Sequence, residues 1–176
     1  MRPAIDLLSH YAAYHRDRRN IVTHLVGIPM IVLALSVLLA RPAFPVGGFT
    51  LTPIVVIWAL TALWYVTRGE LLLGVAVSAT NLALLLLAQP LAAASVASWL
   101  GWGIGLFVVG WIIQFLGHYY EGKTPAFVDD LVGLLVGPMF VVAEALFSLG
   151  WGRSLMAEIE RRVGPTVLRD LAAARS

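Results

Sequence analysis

The sequence contains no cysteine. That excludes disulfides, thiolate metal sites, iron–sulfur clusters and a cysteine nucleophile. Charge is scarce too: Asp, Glu, Lys and Arg are 12% of the 176 residues, against roughly 25% in soluble domains. Twelve basic and ten acidic residues nearly cancel, to a net charge of +2. Even with a pI near 9.3, this is no nucleic-acid footprint. Gly-x-Ser-x-Gly is absent, so no nucleophile elbow of a serine hydrolase is present. His-Glu-x-x-His is absent, which argues against a zincin protease. Four histidines are too few for a histidine-rich di-iron hydroxylase. The Gly101-x-Gly103-x-Gly105 run lacks any phosphate-binding context. There is no internal repeat and no low-complexity linker.

What is abundant is apolar surface. Hydrophobic residues make up 60% of the chain and the mean hydropathy is +0.86. Such a chain cannot cover a globular surface with polar side chains, and a bilayer removes that problem. We therefore expect an all-α, polytopic membrane helix bundle in a single domain. A spanning helix needs about 20 mostly apolar residues. Residues 21–40, 51–67, 71–88 and 96–117 supply four, separated by Pro/Gly turns, Arg68-Gly69-Glu70 and Gln89-Pro90. Glycines 101, 103, 105, 110 and 117 on the fourth let helix backbones approach closely. A fifth apolar run, 131–150, is interrupted by Pro138 and reads as spanning or re-entrant. Tryptophans 58, 64, 99, 102, 111 and 151 fit interfacial anchoring or helix packing. Residues 1–20 do not read as a cleavable signal peptide, because His10, His15 and Arg16 to Arg19 occupy its would-be apolar core.

Basic residues gather before the first span (Arg2, Arg16, Arg18, Arg19) and after residue 150 (Arg153, Arg161, Arg162, Arg169, Arg175). Basic flanks favour the cytoplasm. This predicts a cytoplasmic segment 1–20, membrane helices over 21–150 and a cytoplasmic tail 151–176. Both termini then share one side, in a bacterial inner membrane or the endoplasmic reticulum. Leu155, Ile159 and Val163 give the tail an amphipathic helical stripe. It lies on headgroups or packs as a cap, with Val167, Leu168 and Leu171 continuing beyond Gly164-Pro165.

Polar residues inside a membrane are costly and need a reason. If the first and fourth spans meet at the basic face, His10, His15, His24 and His118 all lie there. His15 and His24 are nine residues apart, half a turn off in register at about 100° per residue. One regular helix cannot aim both at one point, so His15 must come from a preceding helix or turn. Arg16-Asp17-Arg18-Arg19 supplies the break. Asn20 shares a helix face with His24, as Gln114 does with His118. Glu121 joins His118's face if that helix continues. Three imidazoles with a nearby carboxylate suit a divalent transition metal; the alternative is interfacial histidines bonded to backbone. Asp129 and Asp130 favour a helix N-terminus. Glu144 reads as a buried hydrogen bond or ion pair, or as a proton carrier. Thr80 and Asn81 read as bonds between helices.

Tyr14 to Pro29, with its His15-x4-Asn20-x3-His24 pattern and Gly27-Ile28-Pro29, is one motif. Gln114 to His118, followed by Glu121, Pro125-Ala126, Asp129 and Glu144, is the second. Together they resemble the fungal and bacterial membrane 2-hydroxy fatty acid dioxygenases, over roughly residues 8–150. The resemblance implies an Fe(II)-dependent enzyme of fatty acid α-oxidation, shortening a 2-hydroxy acid by one carbon with O2. It implies His15, His24 and His118 as iron ligands. Glu121 or a water fills a further position and His10 is in reserve. Asn20, Gln114, Asp129 and Glu144 support the ligands from behind. Glu121 stands three residues after His118, one fewer than in the fungal pattern. The expected partners are a 2-hydroxy fatty acid, O2 and the lipid bilayer, with the acyl chain among the spans. Arg16, Arg18, Arg19 and Lys123 would draw in the carboxylate. A non-enzymatic lipid-binding or assembly protein with a structural metal, and a zinc-dependent lipid hydrolase, stay open as alternatives.

Overall fold

The computed structural model describes residues 2–124 and 132–171. It is a helical membrane bundle. In chain order the elements are α1 (Ala4–Ala12), α2 (Arg18–Ala40), β1 (Phe44–Val46), β2 (Phe49–Leu51), α3 (Pro53–Val66), α4 (Leu71–Ala93), α5 (Val96–Glu121), α6 (Gly133–Ser148) and α7 (Arg153–Val163).

Three helices, α2, α4 and α5, are long and apolar enough to cross a membrane. The expected second span is shorter than read. α3 has 14 residues, about 21 Å at 1.5 Å per residue, against a hydrocarbon core of about 30 Å. The reason lies before it. Residues 44–51 form a two-stranded antiparallel hairpin, with Val46 opposite Phe49, where only a turn was expected at Gly47-Gly48. Both glycines have positive φ, the geometry a two-residue hairpin turn demands. Pro53 then starts α3.

α2 and α5 form the tightest pair. Glycines 103, 110 and 117 recur every seven residues along α5 and face α2. A Cβ on Gly110 would lie 2.7 Å from Ile31 and 3.1 Å from the Gly27 carbonyl; one on Gly117 would collide with Thr23 and Asn20. Gly101 and Gly105 face open space instead, so they serve no helix contact. A seven-residue seam of small residues keeps two helices in register over several turns. It fixes the start of α2 against the end of α5.

The same end of the bundle carries the remaining elements. α1 buries Ala4, Leu7, Leu8 and Tyr11, an i, i+3, i+4, i+7 stripe, and its first amide donates to the Arg68 carbonyl. α6 starts beside Val32, Leu35 and Trp111, partway along the bundle. From there it rises to place Phe140 against Tyr11 and His15. A 118° bend separates α6 from α7. α7 buries Leu155 and Ile159 in the cluster that includes α1, so the tail helix is a packed cap. Beyond Gly164 the predicted continuation is not helical. Val167 and Leu168 are exposed, and Val167 pairs with the α1–α2 linker through Arg18 N–H to Val167 O (2.9 Å) and Val167 N–H to Arg16 O (2.8 Å). Thr80 bonds back to Ala76 of its own helix, not between helices. Asn81 does reach across, to Tyr65.

Candidate metal centre

α1 ends at Ala12, and the next helix cannot start until something caps it. Asp17 does so: its carboxylate accepts the Arg19 N–H at 2.8 Å, satisfying one of the orphan donors of a helix N-terminus. Residues 13–17 are thus a linker, and His15 on it turns inward. His24 points to the same place from the second turn of α2, and His118 from the last turn of α5. The three are 0%, 2% and 7% exposed. One nitrogen from each lies within 4.8 Å of the others. Among the described residues this trio is the group of three or more such side chains that could hold a metal ion.

The protonation pattern is decided by what the far nitrogens do. His15 Nδ1 lies 2.7 Å from the Tyr11 carbonyl, and His24 Nδ1 lies 2.8 Å from the Asn20 carbonyl. A carbonyl only accepts, so both Nδ1 atoms carry the hydrogen. In the neutral rings both Nε2 atoms then present lone pairs. These two Nε2 atoms are 3.0 Å apart. Burial holds His15 well below its ordinary value of 6.5, so a proton does not fill the gap at neutral pH. His118 Nδ1 is buried and makes no hydrogen bond of good geometry among the described residues, with the Lys123 backbone close enough to act on the ring. Converging lone pairs and an orphaned nitrogen are the donor set that a divalent cation completes. A carbonyl on the far nitrogen is also how metal-binding histidines are usually oriented.

Glu121 stands apart from this trio. Its carboxylate accepts from Arg16 N (3.0 Å), Asp17 N (2.7 Å) and Asn20 Nδ2 (3.1 Å). It bolts the end of α5 to the linker that carries His15. Asn20 also donates to Tyr14 O at 3.1 Å, joining the linker to His24's hydrogen-bond acceptor. His10 is exposed on the opposite face of α1, edge-on to Tyr14 at 5.7 Å, and is not brought to the cluster. Glu144, half-buried on α6, lies within electrostatic reach of Arg16. Asp129 lies outside the described residues. The cations expected to attract a carboxylate are mostly committed elsewhere. Arg16 donates to the Ala12, His15 and Gly164 carbonyls, Arg19 to Asp17 and the Arg169 carbonyl, and Lys123 to the Ala13 carbonyl.

Two contributors were not singled out from sequence. Tyr11 stacks on His15 at 4.1 Å and 5°, in addition to offering its carbonyl; the signal available was its spacing of four from His15. The tail was the other, and main-chain pairing to residues 16–18 leaves no side-chain signature.

An apolar cavity of about 260 Å³ opens beside the trio. Ile28, Ile31, Leu35, Phe107 and Trp111 line it, and its polar groups include His24, His118, Gln114 and Tyr11. A second cavity of about 160 Å³ shares Val32, Leu35, Leu134 and Pro138 with the first. The pair runs from the histidines towards the far side of the bundle.

A family model described as 2-hydroxy-palmitic acid dioxygenase Mpo1-like matches residues 1–149. The chain belongs to the Mpo1-like family. It is 34% identical over 157 residues to a Saccharomyces cerevisiae protein named 2-hydroxy-palmitic acid dioxygenase MPO1, covering 87% of this chain and 85% of the yeast one. No solved structure matches. The matched Mpo1-like region contains all three histidines and ends between α6 and α7, so the α7 cap and the tail that pairs with the linker lie outside it.

Proposed function

We propose that this chain is an Fe(II)-dependent dioxygenase that shortens a 2-hydroxy fatty acid by one carbon. The observation that carries the reading is the pair of Nε2 lone pairs 3.0 Å apart, with a third imidazole beside them, at the mouth of an apolar cavity. The yeast relative's name supplies the substrate class. His15, His24 and His118 hold the metal. Bound there, ferrous iron supplies the site at which dioxygen is activated. The rest is work for the protein's own residues. Tyr11 and Asn20 carbonyls keep the two Nε2 atoms unprotonated and aimed. Glu121 fixes the linker, so it acts as a positioning residue rather than a ligand. The two cavities hold the acyl chain and keep water from it. The reaction takes from the substrate all the electrons that dioxygen needs: the C1–C2 bond breaks, the carboxyl carbon leaves as CO2, C2 becomes the new carboxyl, and one water is formed. No separate reductant is required.

The histidine end of the bundle faces the cytoplasm in this reading, with both termini there, because Arg16, Arg18, Arg19, Arg161, Arg162 and Arg169 crowd it. An oxygen electrode tests the activity. Protein loaded with Fe(II) consumes O2 on addition of 2-hydroxypalmitate, and the His118→Ala variant does not. Loaded protein that leaves O2 untouched overturns the proposal, and zinc-dependent lipid cleavage without O2 would put the hydrolase reading in its place.

A further inference from the structure

The metal centre leaves one polar group in the cavity unexplained. Gln114 is 4% exposed, and its amide nitrogen is buried with no hydrogen-bond partner among the described residues. It sits one helical turn before His118 on the same face of α5 and lines the cavity with His118 and His24. The fold makes room for it. A Cβ on Gly27 would come within 2.9 Å of both the Gln114 amide nitrogen and the Gly110 carbonyl oxygen, so the glycine that closes the α2–α5 seam also leaves room for the carboxamide. Buried amides without partners are uncommon and costly. One kept at the wall of an apolar cavity, against a glycine, is a place for a ligand's oxygen once the carboxamide turns toward it.

A fatty acid with its carboxyl end at the histidines must thread its first carbons past this residue. On a 2-hydroxy acid, the polar group next to the carboxyl is the hydroxyl. We propose that Gln114 reads the 2-hydroxyl of the substrate through its carboxamide and so separates 2-hydroxy acids from unsubstituted ones. This inference rests on the substrate class proposed above. An isosteric apolar side chain would still pack in the cavity but would treat both acids alike. A cavity built to hydrogen-bond a hydroxyl rejects the analogue that lacks it.

Two measurements test it. In detergent-solubilised full-length protein stripped of metal, quenching of tryptophan fluorescence by brominated chains gives affinities for 2-hydroxypalmitate and palmitate. Trp111 lines the cavity and reports occupancy. The metal-free wild type prefers the hydroxy acid, because the discriminating group belongs to the protein. Gln114→Leu loses that preference by about tenfold, the size of one hydrogen bond. Its palmitate affinity and its Fe(II) content after loading stay at wild-type levels. Retained preference in Gln114→Leu overturns the inference. So does a preference that appears in the wild type only with metal bound, and this outcome needs no variant to fold. Lost iron with unchanged preference assigns Gln114 to the metal site and also overturns it. If neither acid binds and no O2 is consumed, it is the proposed function that fails.

Discussion

Single residues decide whether the three imidazoles converge, and Glu121 is the clearest case. Both of its oxygens accept hydrogen bonds, two of them from the consecutive backbone amides of Arg16 and Asp17 in the linker just before α2. Gln at this position keeps the shape but turns one acceptor into a donor facing a donor. Leaving a buried group unsatisfied costs about 1–3 kcal/mol. Because the linker carries His15, we expect Glu121→Gln to weaken Fe(II) affinity by about 10–100-fold, as outer-shell changes do, with the helical content intact. Metal titration followed by circular dichroism checks both halves; unchanged affinity would return Glu121 to a purely structural role. Asp17 gives a pH signature. The Arg19 guanidinium hydrogen-bonded to it, aided by the Arg169 and Arg19 amides, lowers its carboxyl from 3.8 to about 2. A depressed carboxyl adds stability above its unfolded value and loses it as pH falls through the folded one. The gap in melting temperature between wild type and Asp17→Asn should therefore be widest above about pH 4 and close toward pH 2. A gap that persists at pH 2 would show that the carboxylate's charge is not what holds the linker.

At the scale of elements, the α2–α5 seam is the device that brings His24 and His118 together. Gly117 is its critical point, since an added Cβ meets Asn20, whose amide and carbonyl both serve the site. Overpacking of this kind typically costs 1–3 kcal/mol. We expect Gly117→Ala to fold with a lowered melting temperature and to lose metal in parallel, whereas Gly105→Ala, facing open space, leaves both unchanged. Metal analysis of the two variants side by side separates a seam effect from a general loss of helix packing.

Much of this element layout was legible beforehand. The nine-residue offset between His15 and His24 demanded a helix break, and the break is there. The basic flanks placed the start of the first expected span and the end of the fourth at one face, and α2 and α5 do meet there. Three features were not legible, each for a physical reason. Val46-Gly47-Gly48-Phe49 carries a hairpin signal, but apolar composition past it reads equally as membrane helix. Glu121's partners are backbone amides, which every sequence has. Which histidine is left out depends on the face of α1, and only the burial of Leu7, Leu8 and Tyr11 turns His10 outward.

For the molecule as a whole, orientation in the bilayer is the property to establish. Because the chain has no cysteine, a single introduced one reports without background. Arg161→Cys, on the exposed face of the cap, should react with a membrane-impermeant maleimide only after cells are opened. Thr50→Cys in the hairpin at the far end should react in intact cells or their equivalent vesicles. The reverse pattern would turn the histidine face outward and contradict a cytoplasmic site.

The linker between α1 and α2 is met from far along the chain. His15 lies with its ring 5.0 Å, centroid to centroid, from that of His118. Its neighbours are clamped by residue 121, 105 positions after Arg16, and by Arg169, 152 positions after Asp17. During synthesis, then, the first histidine emerges long before anything can hold it. The three imidazoles can meet only once α5 has entered the membrane, and the linker gains the Arg169 clamp only after the segment beyond α7 has been made. Any metal the trio holds is therefore taken up late in synthesis rather than as the first histidine emerges.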